Sequence, residues 1–418
     1  MQHLLFLAHR IPYLPTKGDK VRSYNLLLHL SRIYRVHLGA FVDDEADLAH
    51  VDALTRMCET CHLVRINPRL SKIKCVTGLI SRAPLTLAYY RSAQMQLWVN
   101  EVLRLSPIKK VLVFSAAMAQ YVMSNESVLR VADLVDVDSD KWRQYARARS
   151  WPYSALYKRE SRTLLKYERE IARCFDATTF VSEAEAGLFR ELAPEVSEKV
   201  WYVNNGVDAE YFSPERAYPN PYLQGQRVVV FTGAMDYWPN VDAVVWFVRK
   251  VFPSVRARLP NAIFCIVGAR PSAEVTRLAQ CAGVQITGTV PDIRPYLAHA
   301  MLAVAPLRMA RGIQNKILEA MAMGKPVLAS PQAAEGIEAR IGTDFLIASS
   351  EEDFARQTSE LLEHSGNCQL GAAGRARILS SYVWRKNLRL FEKLLDSPTH
   401  SGVIKAARQA DHLQRTVS

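Results

Sequence analysis

Along this chain, short apolar runs alternate with longer stretches in which apolar residues recur every three or four positions. Runs of four to eight β-favouring residues read as strands and the longer periodic stretches as amphipathic helices, so the alternation predicts βαβ units around a parallel sheet. HLLFLA precedes a helix through SYNLLLHLSRIY, and VHLGAFV, KKVLVFS, RVADLVDV and ATTFVS follow as further strands. WYVNNGVDAEYFSPE, with Asn204, Asn205, Gly206 and Pro214, is rich in turn formers and marks an interdomain boundary. The same rhythm then restarts: RVVVFTGA, a helix through VDAVVWFVRKVFPSVR, AIFCIVGA, a helix from Ala273, VQITG, a short helix after Asp292, LAVAPL, a helix within residues 312–324, and PVLAS. The expected fold class is α/β: two Rossmann-like, doubly wound domains, 1–205 and 206–383, facing a shared cleft with ligands at the carboxyl ends of their strands. Residues 384–397 form an amphipathic helix able to pack back on the first domain, and 398–418 read as a frayed polar tail.

Composition narrows the partners. Fifty-three Lys and Arg against 41 Asp and Glu give a net charge of +12, which points to anionic partners. Seven cysteines are scattered, as expected for free thiols in a reducing cytosol. Cys58 and Cys61, beside His62 and with Cys75 further on, lack the second pair that a zinc site needs and read as two thiols one helical turn apart. LLFLA at the start is too short for a signal segment, and no stretch reaches the ~18 uninterrupted apolar residues of a membrane span. A cytoplasmic protein is expected, peripheral to the inner face of the plasma membrane if residues 141–175 meet lipid. There Trp142, Tyr145, Trp151, Tyr153, Tyr157 and Tyr167 interleave with Arg143, Arg147, Arg149, Lys158, Arg159, Arg162 and Lys166. Aromatic bodies with basic heads suit an anionic membrane surface, and a solvated basic helix pair is the alternative.

GIQNKILEAMAMGKPVLAS, Gly312 to Ser330, poses a specific problem. Its helix is apolar nearly all round, which implies burial, yet it carries Lys316 and Glu319 on one face. Burying a carboxylate is costly unless something pairs with it. Either the two residues neutralise one another across a helical turn, or they face a cleft and hold a ligand.

The segments FTGAMDYWPNVDAVVWFV, FCIVGARPSAEV, GVQITGTVPDIRPYLAHAMLAVAPLRMARGIQNKILEAMAMGKPVLAS and NNGVDAEYFSP, in that order, resemble the donor domain of retaining GT-B glycosyltransferases of glycosyltransferase family 4. Within it they look most like the sugar transferases of PEP-CTERM exopolysaccharide systems. The resemblance implies a nucleotide-sugar donor, an acceptor hydroxyl on a lipid-linked or growing polysaccharide, retention of configuration and no cofactor or metal. It implies that Gly312, Ile313, Gln314 and Asn315 aim free N–H groups and a helix dipole at the diphosphate, that Lys316 neutralises it, and that Glu319 accepts the ribose hydroxyls. It implies also that Gly233 lets backbone approach the ligand and that Val290 holds the base, while Asp292 reads as a helix cap. The family's two glutamates stand eight positions apart. Here the first is replaced by Arg311, which with Arg308 would clamp an oxyanion.

On the acceptor side, Lys17, Gly18, Lys20 and Arg22 follow the first strand and read as a phosphate-contacting loop, with His9 at the cleft floor. Asp136 and Asp138 in DLVDVDSDKW stand at a strand end, placed to orient or deprotonate the acceptor. The same pair reads as the metal-holding DxD of a GT-A glycosyltransferase, although one α/β domain would suffice for that, and as plain helix-capping carboxylates. A GT-B-fold nucleotide-sugar epimerase and a non-catalytic nucleotide-sugar-binding subunit remain the functional rivals; no nucleic acid partner is expected.

Overall fold

The computed structural model describes residues 1–13, 18–67, 71, 75, 83–310, 312–363 and 368–396. The chain divides into two compact units, Met1–Val203 with the segment from Leu388 onward, and Asn204–Asn387.

The first unit is built on seven parallel strands in the order β3-β2-β1-β4-β5-β6-β7: β1 (Gln2–Ala8), β2 (Tyr34–Val42), β3 (Thr60–Arg65), β4 (Ile108–Phe114), β5 (Leu129–Val135), β6 (Ala177–Phe180) and β7 (Val200–Tyr202). Helices cover both faces of such a sheet, so its central strands are apolar without alternation, and Leu4, Leu5, Phe6 and Leu7 are all fully buried. β3 and β7 were not among the expected strands. Cys61 lies in β3 and Cys58 in the turn before it, so the two thiols are not on a helix. His62 stacks on Trp98, and among the described residues no three His, Cys, Asp or Glu side chains are grouped as a metal ion would need.

The second unit carries six parallel strands in the order β10-β9-β8-β11-β12-β13: β8 (Arg227–Thr232), β9 (Ala262–Val267), β10 (Val284–Gly288), β11 (Leu302–Ala305), β12 (Val327–Ala329) and β13 (Leu346–Ile347). Two separate parallel sheets remove the GT-A alternative, which one α/β domain would have satisfied.

The single helix expected over 384–397 is instead two, Trp384–Asn387 in the second unit and Arg389–Asp396 in the first. In the first unit the latter is tied down by Glu392 with His29 at 2.7 Å and by Asp396, which accepts from Tyr34 at 3.0 Å. Its Phe391 is fully buried, with the Arg22 guanidinium above the ring. The tail expected at 398–418 lies outside the described residues.

Candidate functional site

The oily helix of the sequence runs over Asn315–Ala322, with Ile317, Leu318, Ala320, Met321 and Ala322 at 1% exposure or less. Lys316 and Glu319 occupy the one stripe left only partly buried. Gly312, at φ +62°, turns the chain into this helix with a backbone conformation that a side chain would resist. Gln314 stands at the cap position of this helix, and its side chain makes no capping bond to the helix N–H groups. Ile313 packs inward, and Asn315 Oδ1 accepts from Asn205 Nδ2 at 3.1 Å.

Lys316 Nζ donates to Asn240 Oδ1 at 2.5 Å and sits 4.3 Å from the Phe231 ring centroid. Asn240 is itself fixed, donating from Nδ2 to the Ala234 carbonyl at 2.9 Å. Gly233 follows β8 directly beneath this cluster. A Cβ there would lie 2.7 Å from Asn240 Nδ2 and 3.4 Å from Lys316 Nζ, at φ +155°. The position therefore requires glycine and brings backbone close to the ammonium.

Among the described residues no carboxylate bonds this ammonium directly, and Glu319 accepts no hydrogen bond. Burial pushes Lys316 down to about 7, against the opposing charge of Glu319. Burial likewise pushes Glu319 up to about 7, against the pull of Lys316. Each charge is thus under-compensated. A group with negative charge beside Lys316 and hydroxyl donors beside Glu319 would supply what the helix lacks.

Around it, Asp292 accepts the Arg294 backbone N–H at 2.9 Å at the start of helix Arg294–His299, and it also pairs with the Arg294 guanidinium. That guanidinium lies 3.7 Å over the Tyr211 ring, and Tyr211 is an electrostatic neighbour of Glu319. Val290, two residues past β10, is half-buried. Arg308 makes a two-pronged ion pair with Asp242, its Nε 2.9 Å from Oδ2, so its fork is already occupied. Arg311 and Lys17 lie outside the described residues.

The acceptor-side loop needs correction. Gly18, Lys20 and Arg22 belong to helix Gly18–Leu30, and the two cations point inward. Lys20 pairs with Asp47 at 2.5 Å. Arg22, 1% exposed, donates to Asp133 at 2.8 and 3.0 Å and to the Val203 carbonyl at 2.7 Å, while Thr179 donates to the same carboxylate at 2.9 Å. Neither cation is available to a phosphate. His9 stacks on Phe114.

Asp136 follows β5 directly and Asp138 opens helix Asp138–Ala148, both half-buried. Burial pushes Asp136 up to about 6, with Lys141 opposing and Asp138 adding to the rise. Asn240, Asn205 and Tyr211 near Lys316 and Glu319, and Glu168 and Glu185 beneath Asp136, carried no sequence signal, because each meets its partner only through the fold. The basic aromatic segment forms the helices Asp138–Ala148 and Tyr153–Cys174, with the rings of Trp142, Tyr145, Tyr153 and Tyr157 clustered together. Trp151 is 81% and Tyr153 59% exposed, and Arg147, Arg149, Lys158, Arg162 and Lys166 are exposed as well.

Comparison with known proteins agrees with the second unit's geometry. Residues 226–364 match the family described as glycosyl transferases group 1. No curated protein matches the chain. Among solved structures it is similar to sucrose-phosphate synthase from Thermosynechococcus elongatus, with a TM-score of 0.68, 15% identity and coverage of 94% of this chain and 98% of that one. It is similar to Anabaena Alr3699/HepE in complex with UDP-glucose, at 0.65 and 15% identity over 94% and 99%. It is also similar to WaaG, a glycosyltransferase involved in lipopolysaccharide biosynthesis, at 0.59 and 15% identity over 97% and 98%. The chain thus has the two-sheet GT-B fold of these structures, and within it residues 226–364 match the group 1 glycosyl transferase family.

Proposed function

We propose that the protein transfers a sugar from a nucleotide-sugar donor to an acceptor hydroxyl. The observation that carries this reading is the start of helix Asn315–Ala322: the under-compensated Lys316 fixed by Asn240 beside Gly233, and Glu319 one turn deeper without a hydrogen bond among the described residues. In this reading the leading N–H groups and Lys316 neutralise the diphosphate as it departs, Glu319 accepts the ribose hydroxyls, and Val290 lies against the base. HepE, a similar structure, is a complex with UDP-glucose, which makes UDP-sugars the first donors to try. Asp136, held above the usual carboxylate range, takes the acceptor's proton. The transfer proceeds with retention, as the family resemblance implies, and needs no metal where the helix dipole and Lys316 stabilise the departing diphosphate.

The acceptor is lipid-linked or a growing polysaccharide, as in exopolysaccharide synthesis, and the chain works at the cytoplasmic face of a membrane. Support comes from the exposed Trp151 and Tyr153 beside exposed arginines and lysines; no described helix is long and apolar enough to cross a bilayer. The test is calorimetry of UDP and nucleotide sugars with Glu319→Gln and Lys316→Ala. A hydrogen bond to a charged group is worth about 1–3 kcal/mol, so each variant should bind roughly 5- to 150-fold more weakly. Unchanged affinity with a lowered melting temperature would make the pair a structural one and overturn the reading.

A further inference from the structure

The turn that carries Asp136 and Asp138 is tied down in an unusual way. Val135, at the end of β5, has φ +71°, a left-handed conformation that a β-branched residue adopts only when its surroundings impose it. The next helix begins at Asp138, and its cap position is Val137, whose side chain accepts nothing. At this end the Asp138 and Asp140 N–H groups bond to the Asp136 and Val137 carbonyls, and those of Val137 and Ser139 are taken by carboxyl groups from two other helices. Glu185, from helix Glu183–Leu192, accepts from Val137 N at 2.7 Å. Glu168, from helix Tyr153–Cys174, accepts from Ser139 N at 3.2 Å, with its other oxygen 2.5 Å from Ser139 Oγ. Both carboxylates are nearly inaccessible, at 1% and 2% exposure, whereas Asp136 and Asp138 keep partial access.

A serine or aspartate at position 137 would cap this helix locally. Burying two carboxyl groups for the same purpose is more costly, and burial pushes Glu168 up to about 8; what it adds is a rigid link from the turn to the next two helices of the chain. We infer that Glu168 and Glu185 are positioning residues: they fix the β5 turn so that Asp136 meets the acceptor hydroxyl. This rests on the reading of Asp136 as the proton acceptor. The helix end is also filled, so this turn presents carboxylates to the acceptor rather than binding a phosphate.

The test uses the full chain and measures kcat, the acceptor KM and nucleotide Kd separately. Misplacement by about 1 Å can cost on the order of a hundredfold, so Glu168→Ala should lower kcat by roughly 10- to 100-fold with nucleotide Kd within about twofold. Glu168→Gln can still accept the N–H and meet the hydroxyl, and it should keep kcat within about threefold. Should the alanine variant fail to fold, Ser139→Ala removes half the tie and should lower kcat by roughly three- to tenfold with nucleotide Kd again unchanged. Wild-type kcat in Glu168→Ala or Ser139→Ala, where Asp136→Asn is inactive, overturns the tie alone. Wild-type kcat in Asp136→Asn overturns the reading on which it rests.

Discussion

Binding of a nucleotide sugar is expected to move protons, in opposite directions on either side of neutrality. Lys316 is pushed down to about 7 and Glu319 up to about 7 by burial. At pH 8 a lysine with that pKa is roughly 90% neutral, and a diphosphate placed beside it restores the charged form, so binding should take up close to ~0.9 proton. At pH 6 Glu319 is roughly 90% protonated, and accepting both ribose hydroxyls requires the carboxylate, so binding should release a similar ~0.9 proton. Near pH 7 the two effects cancel. By linkage, uptake means that affinity falls as pH rises above 7, approaching about tenfold per unit, and release means that it falls as pH drops below 7. The assay is calorimetry of UDP-glucose, or of whichever nucleotide sugar binds best, in buffers of small and large ionisation enthalpy, since the diester diphosphate does not itself titrate in this range. Lys316→Met should abolish the uptake at pH 8 and Glu319→Gln the release at pH 6. Fewer than ~0.2 protons moved at both pH values would refute the view that ligand and helix compensate one another.

Three further outcomes follow from named contacts. Gly233→Ala places a Cβ 2.7 Å from Asn240 Nδ2, so nucleotide affinity should fall and stability drop by about 1–3 kcal/mol, read by calorimetry and thermal melting. Arg22→Leu leaves Asp133 buried with only Thr179 to bond it and no cation, and should destabilise by about 3–5 kcal/mol in denaturant titration, with nucleotide affinity unchanged, because Arg22 serves the first unit's core. The joint substitution of Arg147, Arg149, Lys158 and Arg162 by Gln should release the protein from vesicles containing anionic lipid. Wild type should be retained at low salt and released as salt approaches about 0.1 M and above, where screening acts within ~10 Å, and equal sedimentation with neutral vesicles would remove the membrane proposal.

Much of the second unit is legible because its signals are local. A helix apolar on every side except at Lys316 and Glu319 implies burial of the other faces, and these two residues do lie on the partly buried stripe of an otherwise buried helix. Lys20 and Arg22 show the opposite case. Basic residues after a first strand suggest a phosphate loop, but their carboxylates, Asp47 and Asp133, lie 27 and 111 positions away and leave no mark on the local pattern. Asn240, Glu168 and Glu185 escape notice for the same reason: each acts on a residue brought to it by the sheet. β3, TCHLVR, has no strong alternation, and β13 is two residues long, so neither exceeds what a loop would show. The helix expected over 384–397 keeps its amphipathic period across a break that only the division into two units explains.

Sugar transfer at the Lys316 and Glu319 site is checked by analysis of the reaction products. The protein is incubated with a panel of nucleotide sugars and a lipid-extract acceptor pool, with and without chelator, and products are followed by mass spectrometry. The expected products are an acceptor heavier by one sugar residue and free nucleoside diphosphate in equal amount, with turnover nearly intact in the presence of chelator. Lys316→Ala should lower the rate by a factor corresponding to about 2.7–4 kcal/mol, the scale of one preorganised donor lost from a transition state. An isomerised nucleotide sugar formed without acceptor, or tight binding with no transfer to any acceptor, would contradict this function.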